Sequence, residues 1–391
     1  MSDRGFVYLD HNATTPLDPR VRDAMLPWLG ERHGNPSSVH RFGQAARNAV
    51  EEGREQVAAL LGARPPEIVF TASGTEANNA VLFGVGLQSR HRGRIVISAF
   101  EHPFVLAAAD RLEAMGMEVV RVPPGADGVV PAEAVIAALT ADTRLVGLML
   151  ANNELGTLQP VAEVATACRE RGIPILTDAV QAVGKLPVEL AELGVDFLTV
   201  GAHKFHGPLG AAALWVRTGV ELPPLLVGGG QERHRRASTQ NVPGIVGLGE
   251  AAALAAAELL ARRAHLTGLR DCFEAGVREI AGVRVHCDGS PRLPTTSHFA
   301  VAGVEAQSLL IHLDLASYAM STGSACASGT VEPSAALLAL KLSPKKALGS
   351  LQMSVSMPNT AAEVDGFLAV LAHETAELRR LAGRREPAAV P

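Results

Sequence analysis

From about residue 65 to 220, short apolar runs rich in β-branched residues alternate with stretches of helical periodicity. The runs at 67–70, 94–98, 118–122, 145–150, 173–177, 197–200 and 212–216 read as strands. Amphipathic stretches between them, such as 131–139 and 161–171, read as helices. Such alternation predicts an α/β fold, a mostly parallel sheet with helices on both faces. Sheets of this kind place ligands at the C-terminal ends of their strands. An Ala/Leu-rich stretch at 247–265 reads as one helix and as a connector. Beyond it, strand-like 283–286 and 297–302 and helix-like 306–313 and 361–381 predict a smaller α+β unit.

Composition narrows the class. Of 391 residues, 47% are hydrophobic and 19% charged, enough to bury a large core and too apolar for a disordered chain. A formal net charge of -5 argues against nucleic acid as a partner, since coating it needs a basic surface. The four cysteines, Cys168, Cys272, Cys287 and Cys326, are too few and too scattered for a disulfide frame. None forms a CxxC pair, so no thiolate metal site is expected. The first residues lack an apolar h-region, and no uninterrupted apolar run reaches about 18 residues. Neither a signal peptide nor a membrane span is therefore expected, and the chain reads as a cytoplasmic enzyme.

Four constellations carry candidate chemistry. Thr71-Ala-Ser-Gly74-Thr75-Glu-Ala-Asn-Asn79 follows a strand and opens a helix. Gly74 permits a tight turn, Thr75 can cap the helix, and a helix N-terminus attracts phosphate. Asp178 closes an apolar strand, where its carboxylate is costly unless paired. Lys204 follows the next strand in Gly201-Ala-His203-Lys204-Phe-His-Gly-Pro208, a setting that can desolvate an amine and make it nucleophilic. Cys326 lies among small residues in Ser321-Thr-Gly-Ser-Ala-Cys326-Ala-Ser-Gly329, which describes an exposed thiol. Each segment alone fits an ordinary turn, a solvated loop acid, a surface lysine or an inert thiol. Together, a phosphate cradle, a Schiff-base lysine and an acid for a pyridine nitrogen are what pyridoxal 5'-phosphate requires.

Nearly end to end, the chain resembles the cysteine desulfurases, pyridoxal-phosphate enzymes of aminotransferase class V. The resemblance rests on Tyr8-Leu-Asp-His-Asn12-Ala-Thr-Thr-Pro16, Gly34-Asn-Pro-Ser-Ser38, Phe70 to Asn79, and Glu101-His102-Pro103. It continues through Asn152-Asn153-Glu-Leu-Gly156, Asp178-Ala-Val-Gln181, His203 to Pro208, Gly228-Gly-Gly-Gln-Glu-Arg233 and Gly323-Ser-Ala-Cys326. It implies the type I fold of these transferases, with a seven-stranded sheet in a large domain over 15–260. A small domain of 1–14 and 261–391 would carry Cys326.

The resemblance also implies roles. Lys204 would attach the cofactor and shuttle the substrate proton, Asp178 would pair with its ring nitrogen, and His102 would stack on the ring and act in proton transfer. Gln181 and Asn153 would lie near the ring hydroxyl. Gly74, Thr75 and His203 would hold the phosphate, with Thr239 reaching the phosphate of a second subunit in a homodimer. Asn12, Asn153 and the residue at position 352 would face the substrate, L-cysteine. Cys326 would take its sulfur as a persulfide and pass it to an acceptor protein such as an iron-sulfur scaffold.

Three positions depart from the family pattern. Gly201 stands where the family has Ser, Ser238 where it has Gly, and Gln352 where it has an Arg that grips the substrate carboxylate. Losing a bidentate charged pair weakens binding by about 1.5–3 kcal/mol, roughly ten- to a hundred-fold. Arg235 and Arg236 are other guanidinium groups that could serve. The departures keep open two alternatives: a class V aminotransferase or lyase with another substrate, and a non-catalytic paralogue.

Overall fold

The structure, a computed structural model, describes residues 5–322 and 333–383. Twelve strands and twelve α-helices are formed among them. The strands are β1 (Val7–Tyr8), β2 (Ile68–Thr71), β3 (Arg94–Ser98), β4 (Glu118–Val122), β5 (Thr143–Gly147), β6 (Ile175–Asp178), β7 (Phe197–Gly201), β8 (Ala212–Val216), β9 (Val283–Val285), β10 (Thr296–Val301), β11 (Tyr318–Ala319) and β12 (Ser350–Ser354). The helices are α1 (Pro19–Leu29), α2 (Arg41–Leu61), α3 (Gly74–Gln88), α4 (Pro103–Ala114), α5 (Ala132–Ala137), α6 (Val161–Glu170), α7 (Leu190–Leu193), α8 (Val242–Arg278), α9 (Ala306–Leu315), α10 (Ala335–Ala339), α11 (Pro344–Ala347) and α12 (Ala361–Leu381).

Seven strands form one sheet in the order β2-β8-β7-β6-β5-β3-β4. All its pairs are parallel except those of β8, which runs against β2 and β7. The α/β expectation therefore holds, and the carboxyl ends of β2, β3, β5, β6 and β7 share one edge. Period-two alternation drives the layering. Ile68, Phe70, Val96 and Leu198 enter one core with α2, α6 and α8. Val69, Ile95, Ile97 and Phe197 enter a second core with α3 and α4.

A third core joins Leu9, Leu266, Leu269 and Phe273 to Phe299, Leu351 and Phe367, around the antiparallel sheet β9-β10-β12. Helix α8 spans 37 residues, well beyond the 247–265 expected, and enters both the first and third cores. By length and composition α8 could cross a membrane. Its Ile245, Leu248, Ala251 and Ala255 are buried in the first core, and its Leu266, Phe273 and Val277 in the third.

Candidate active site

The carboxyl edge of the large sheet opens on a cavity of about 200 Å³. Each strand delivers a piece of it. The turn after β2 supplies Ser73, Gly74 and Thr75, and the turn after β3 supplies His102 and Phe104. Met149, Ala151 and Asn153 follow β5; Asp178, Val180 and Gln181 follow from β6; His203 and Lys204 follow β7.

At one end lies the start of α3. Ser73, not Thr75, is the cap: its hydroxyl accepts the Glu76 amide at 3.1 Å. Extended backbone at Ser73 sets the cap one residue before Gly74, so Thr75 sits inside the first turn. The Ala77 amide turns back to the Ser73 carbonyl. The amides of Gly74 and Thr75 are left for an anion. A Cβ on Gly74 would lie 2.9 Å from Val180 Cγ2, so no larger residue fits that turn unless Val180 moves. His203 lines the same cavity and holds Thr14 Oγ1 through Nδ1 at 3.1 Å.

Asp178 is the last residue of β6 and is buried. Its Oδ1 accepts the Val180 amide at 2.9 Å and the Thr199 hydroxyl at 3.2 Å. Burial pushes its carboxyl up to about 6, against those two bonds and the charge of Lys204. Lys204 closes the short 3-10 turn Ala202–Lys204, and its Nζ donates to the carbonyls of Asn12 at 2.5 Å and Ala13 at 2.8 Å. Burial draws the ammonium down to about 8, while Asp178 and Asp10 oppose that shift. Its neutral, nucleophilic form is thus far more accessible than in water.

Burial, followed by the charge of Lys204, holds His102 down at about 4, so the ring is neutral. Its Nδ1 accepts the Phe104 amide at 3.4 Å at the start of α4, which places the ring proton on Nε2. His203 is likewise held at about 4, by burial and then by Lys204 and Lys185.

Other expected residues stand differently. Asn12 does not line the cavity; its Nδ2 donates to the Asn153 carbonyl and Thr296 Oγ1. Gln181 lines it but is tied to the Asn12 carbonyl through Nε2 and to Lys185 Nζ through Oε1. Thr239 is exposed and is not among the lining residues. Gln352 is buried in β12, and its Nε2 donates to the carbonyls of Asn153 at 2.7 Å and Glu154 at 2.9 Å. Among the described residues no arginine lines the cavity. Arg236 is paired with Glu76 at 2.8 Å and Arg235 donates to the Pro66 carbonyl. Cys326 lies outside the described residues.

The sequence reading assigned no role to Lys185, Glu101 or Glu154. Lys185 lies four residues beyond Gln181 and donates to its Oε1 at 2.7 Å, and burial lowers it to about 7. Glu101 accepts the Met149 amide at 2.7 Å beneath the cavity floor, with its carboxyl raised by burial to about 8.

This donor set fits pyridoxal 5'-phosphate: paired amides for the phosphate, a buried carboxyl for the ring nitrogen, a neutral imidazole to stack and an amine to attach. The fold and cavity define a type I pyridoxal-phosphate enzyme. The family model described as aminotransferase class-V matches residues 7–367, and the chain belongs to that family. Its cofactor is pyridoxal 5'-phosphate. A curated relative, the cysteine desulfurase IscS of Dictyoglomus turgidum, is 43% identical over 377 residues, covering 96% of each chain. A solved NifS-like protein superposes with a TM-score of 0.90 at 36% identity, over 95% of this chain and 100% of that one. A structure titled SspA in complex with cysteine has a TM-score of 0.80 at 32% identity, over 90% and 99%.

Proposed function

We infer that this chain is a cysteine desulfurase that converts L-cysteine to L-alanine and leaves the sulfur on Cys326. The observation that carries this reading is the convergence of Lys204, Asp178 and His102 on one cavity whose far end is an anion cradle. The cofactor, when bound, supplies an electron sink for negative charge at the substrate carbons. Asp178, buried and within reach of the charge of Lys204, would pair with the ring nitrogen and keep it protonated. Lys204, freed of its charge more readily than a surface lysine, would be the residue that holds the cofactor and would carry the substrate Cα proton. The neutral His102 ring stacks without carrying a charge into the cavity.

Sulfur transfer balances without an outside oxidant. The Cys326 thiolate forms a bond to the substrate sulfur, the substrate Cβ–Sγ bond breaks, and the carbon fragment takes up protons to become alanine. The protein is left as a persulfide for an acceptor protein, such as an iron-sulfur scaffold. We further propose a homodimer in which Thr239, exposed and not among the residues lining its own cavity, would serve a second copy. Three free cysteines among the described residues agree with a reducing, cytoplasmic setting.

Cys326→Ala should keep the cofactor absorbance and lose persulfide formation. Undiminished sulfur transfer by that variant would sink the assignment. A different amino-acid substrate is the second reading, favoured by the lack of an arginine among the described lining residues. Spectral change of the bound cofactor with an amino acid other than cysteine, and none with cysteine, would select it.

A further inference from the structure

The residues on either side of the Cys326 segment, Ser321 and Ser334, connect to one short loop, Ser321 through Gln352 and Ser334 directly. Ser321 pairs with Gln352 through the backbone, at 2.7 Å from the Gln352 amide, and its Oγ donates to Gln352 Oε1 at 3.3 Å. Gln352 in turn spends both amide hydrogens on the carbonyls of Asn153 and Glu154. On the other side, Ser334 caps α10 and its hydroxyl donates to Glu154 Oε2. Glu154, Ser334 and Gln352 are all buried, at 7%, 5% and 3% exposure, so these contacts are shielded from water. The loop itself is stiff: Asn152 Oδ1 accepts the amides of Glu154 and Leu155 at 3.0 and 2.9 Å. Its Asn153 lines the cofactor cavity.

We propose that Glu154 and Gln352 are positioning residues that clamp both flanks of the Cys326 segment onto the Asn153 wall of the cavity. The proposal rests on the desulfurase reading, which gives Cys326 its task. It also recasts Gln352. A carboxamide has two N–H donors, both used here, so none is left for a substrate carboxylate. Gln352 instead ties Ser321, on the flank of the Cys326 segment, to the Asn153 and Glu154 carbonyls.

A double-mutant cycle on the holoenzyme tests this. Glu154→Ala and Ser334→Ala should each lower kcat for persulfide formation about tenfold, with KM for cysteine within about twofold. The double variant should lose less than the sum of the two single losses, because both remove the Glu154–Ser334 contact, while Ser334→Ala also removes the cap on Leu337. Glu154→Gln should recover most of the rate, since its Oε1 can still accept the Ser334 hydroxyl. The rate at which iodoacetamide labels Cys326, followed by mass spectrometry, should shift several-fold in both alanine variants. Ser334→Ala is the milder change and carries the test if Glu154→Ala does not fold. Strictly additive effects, a change confined to KM, or unaltered labelling would each overturn the clamp. Labelling needs no turnover, so a parent inert toward cysteine would refute the desulfurase reading while leaving the clamp to be judged by labelling.

Discussion

Val180 occupies the space that a side chain on Gly201 would take: a Cβ built there would lie 3.1 Å from Val180 Cγ1. Val180 Cγ2 closes on Gly74 in the same way, at 2.9 Å. One β-branched residue thus accounts for two glycines beside the anion cradle. Restoring the hydroxyl with Gly201→Ser should crowd Val180 and cost about 1–3 kcal/mol in the cofactor-free protein. Adding Val180→Ala should return most of that stability. Thermal melts of the two variants decide it, and an unshifted melt for Gly201→Ser alone would show that the pocket yields.

Asp178 sets up an opposition between stability and activity. Its folded carboxyl is raised from 3.8 to about 6 by burial. Between those values the folded cofactor-free chain keeps a proton that the unfolded chain has released. The stability linked to that proton therefore falls as pH rises through this window. Asp178→Asn should consequently raise the melting temperature of the cofactor-free protein at pH 7 and flatten its fall between pH 4 and 6. The same variant with cofactor should turn over cysteine about a hundredfold more slowly. A variant equally active and no more stable would contradict both halves.

Arg54 and Glu232 form a buried pair 2.7 Å apart, with side chains 2% and 1% exposed. Glu232 also accepts the Phe70 amide at 2.9 Å, which ties the loop before α8 to β2. Glu232→Ala would strand a buried guanidinium and should destabilise the chain by about 3–5 kcal/mol. Denaturant titration measures this loss. Arg54→Met with Glu232→Leu should be milder than either single loss, since no charge is then left unpaired.

Ser238 sits at φ 103°, a region that favours glycine. Ser238→Gly should relieve that strain and stabilise the chain by about 1 kcal/mol. Calorimetry resolves a shift of that size; a lower melting temperature would mean that the serine makes contacts worth more than its strain.

Strands were legible in the sequence because alternation and β-branching leave a direct mark, and Asp178 and Lys204 because they interrupt apolar runs. Helix α2 left a weaker mark: Val50, Val57 and Leu61 form a stripe in its second half, but the rest of its buried face is Gly43, Ala46, Ala49 and Gly53 and includes the charge of Arg54. The C-terminal part of α8 was missed because the charged Glu274 lies on its buried side, neutralised by Arg292. Thr75 looked like a cap because serine and threonine at the turn are chemically equivalent, and only backbone geometry separates them. Glu154 could not be found at all. Its partner Ser334 is 180 positions away, and only the fold brings the two together.

Helix α8 begins three residues after the exposed Thr239 and ends deep in the third core. At about 1.5 Å per residue it is a rod roughly 55 Å long. Swinging the β9-β10-β12 sheet away from the cavity would require bending an unbroken ladder of helical hydrogen bonds. The rod works as a splint for the β9-β10-β12 sheet, the sheet that carries Gln352.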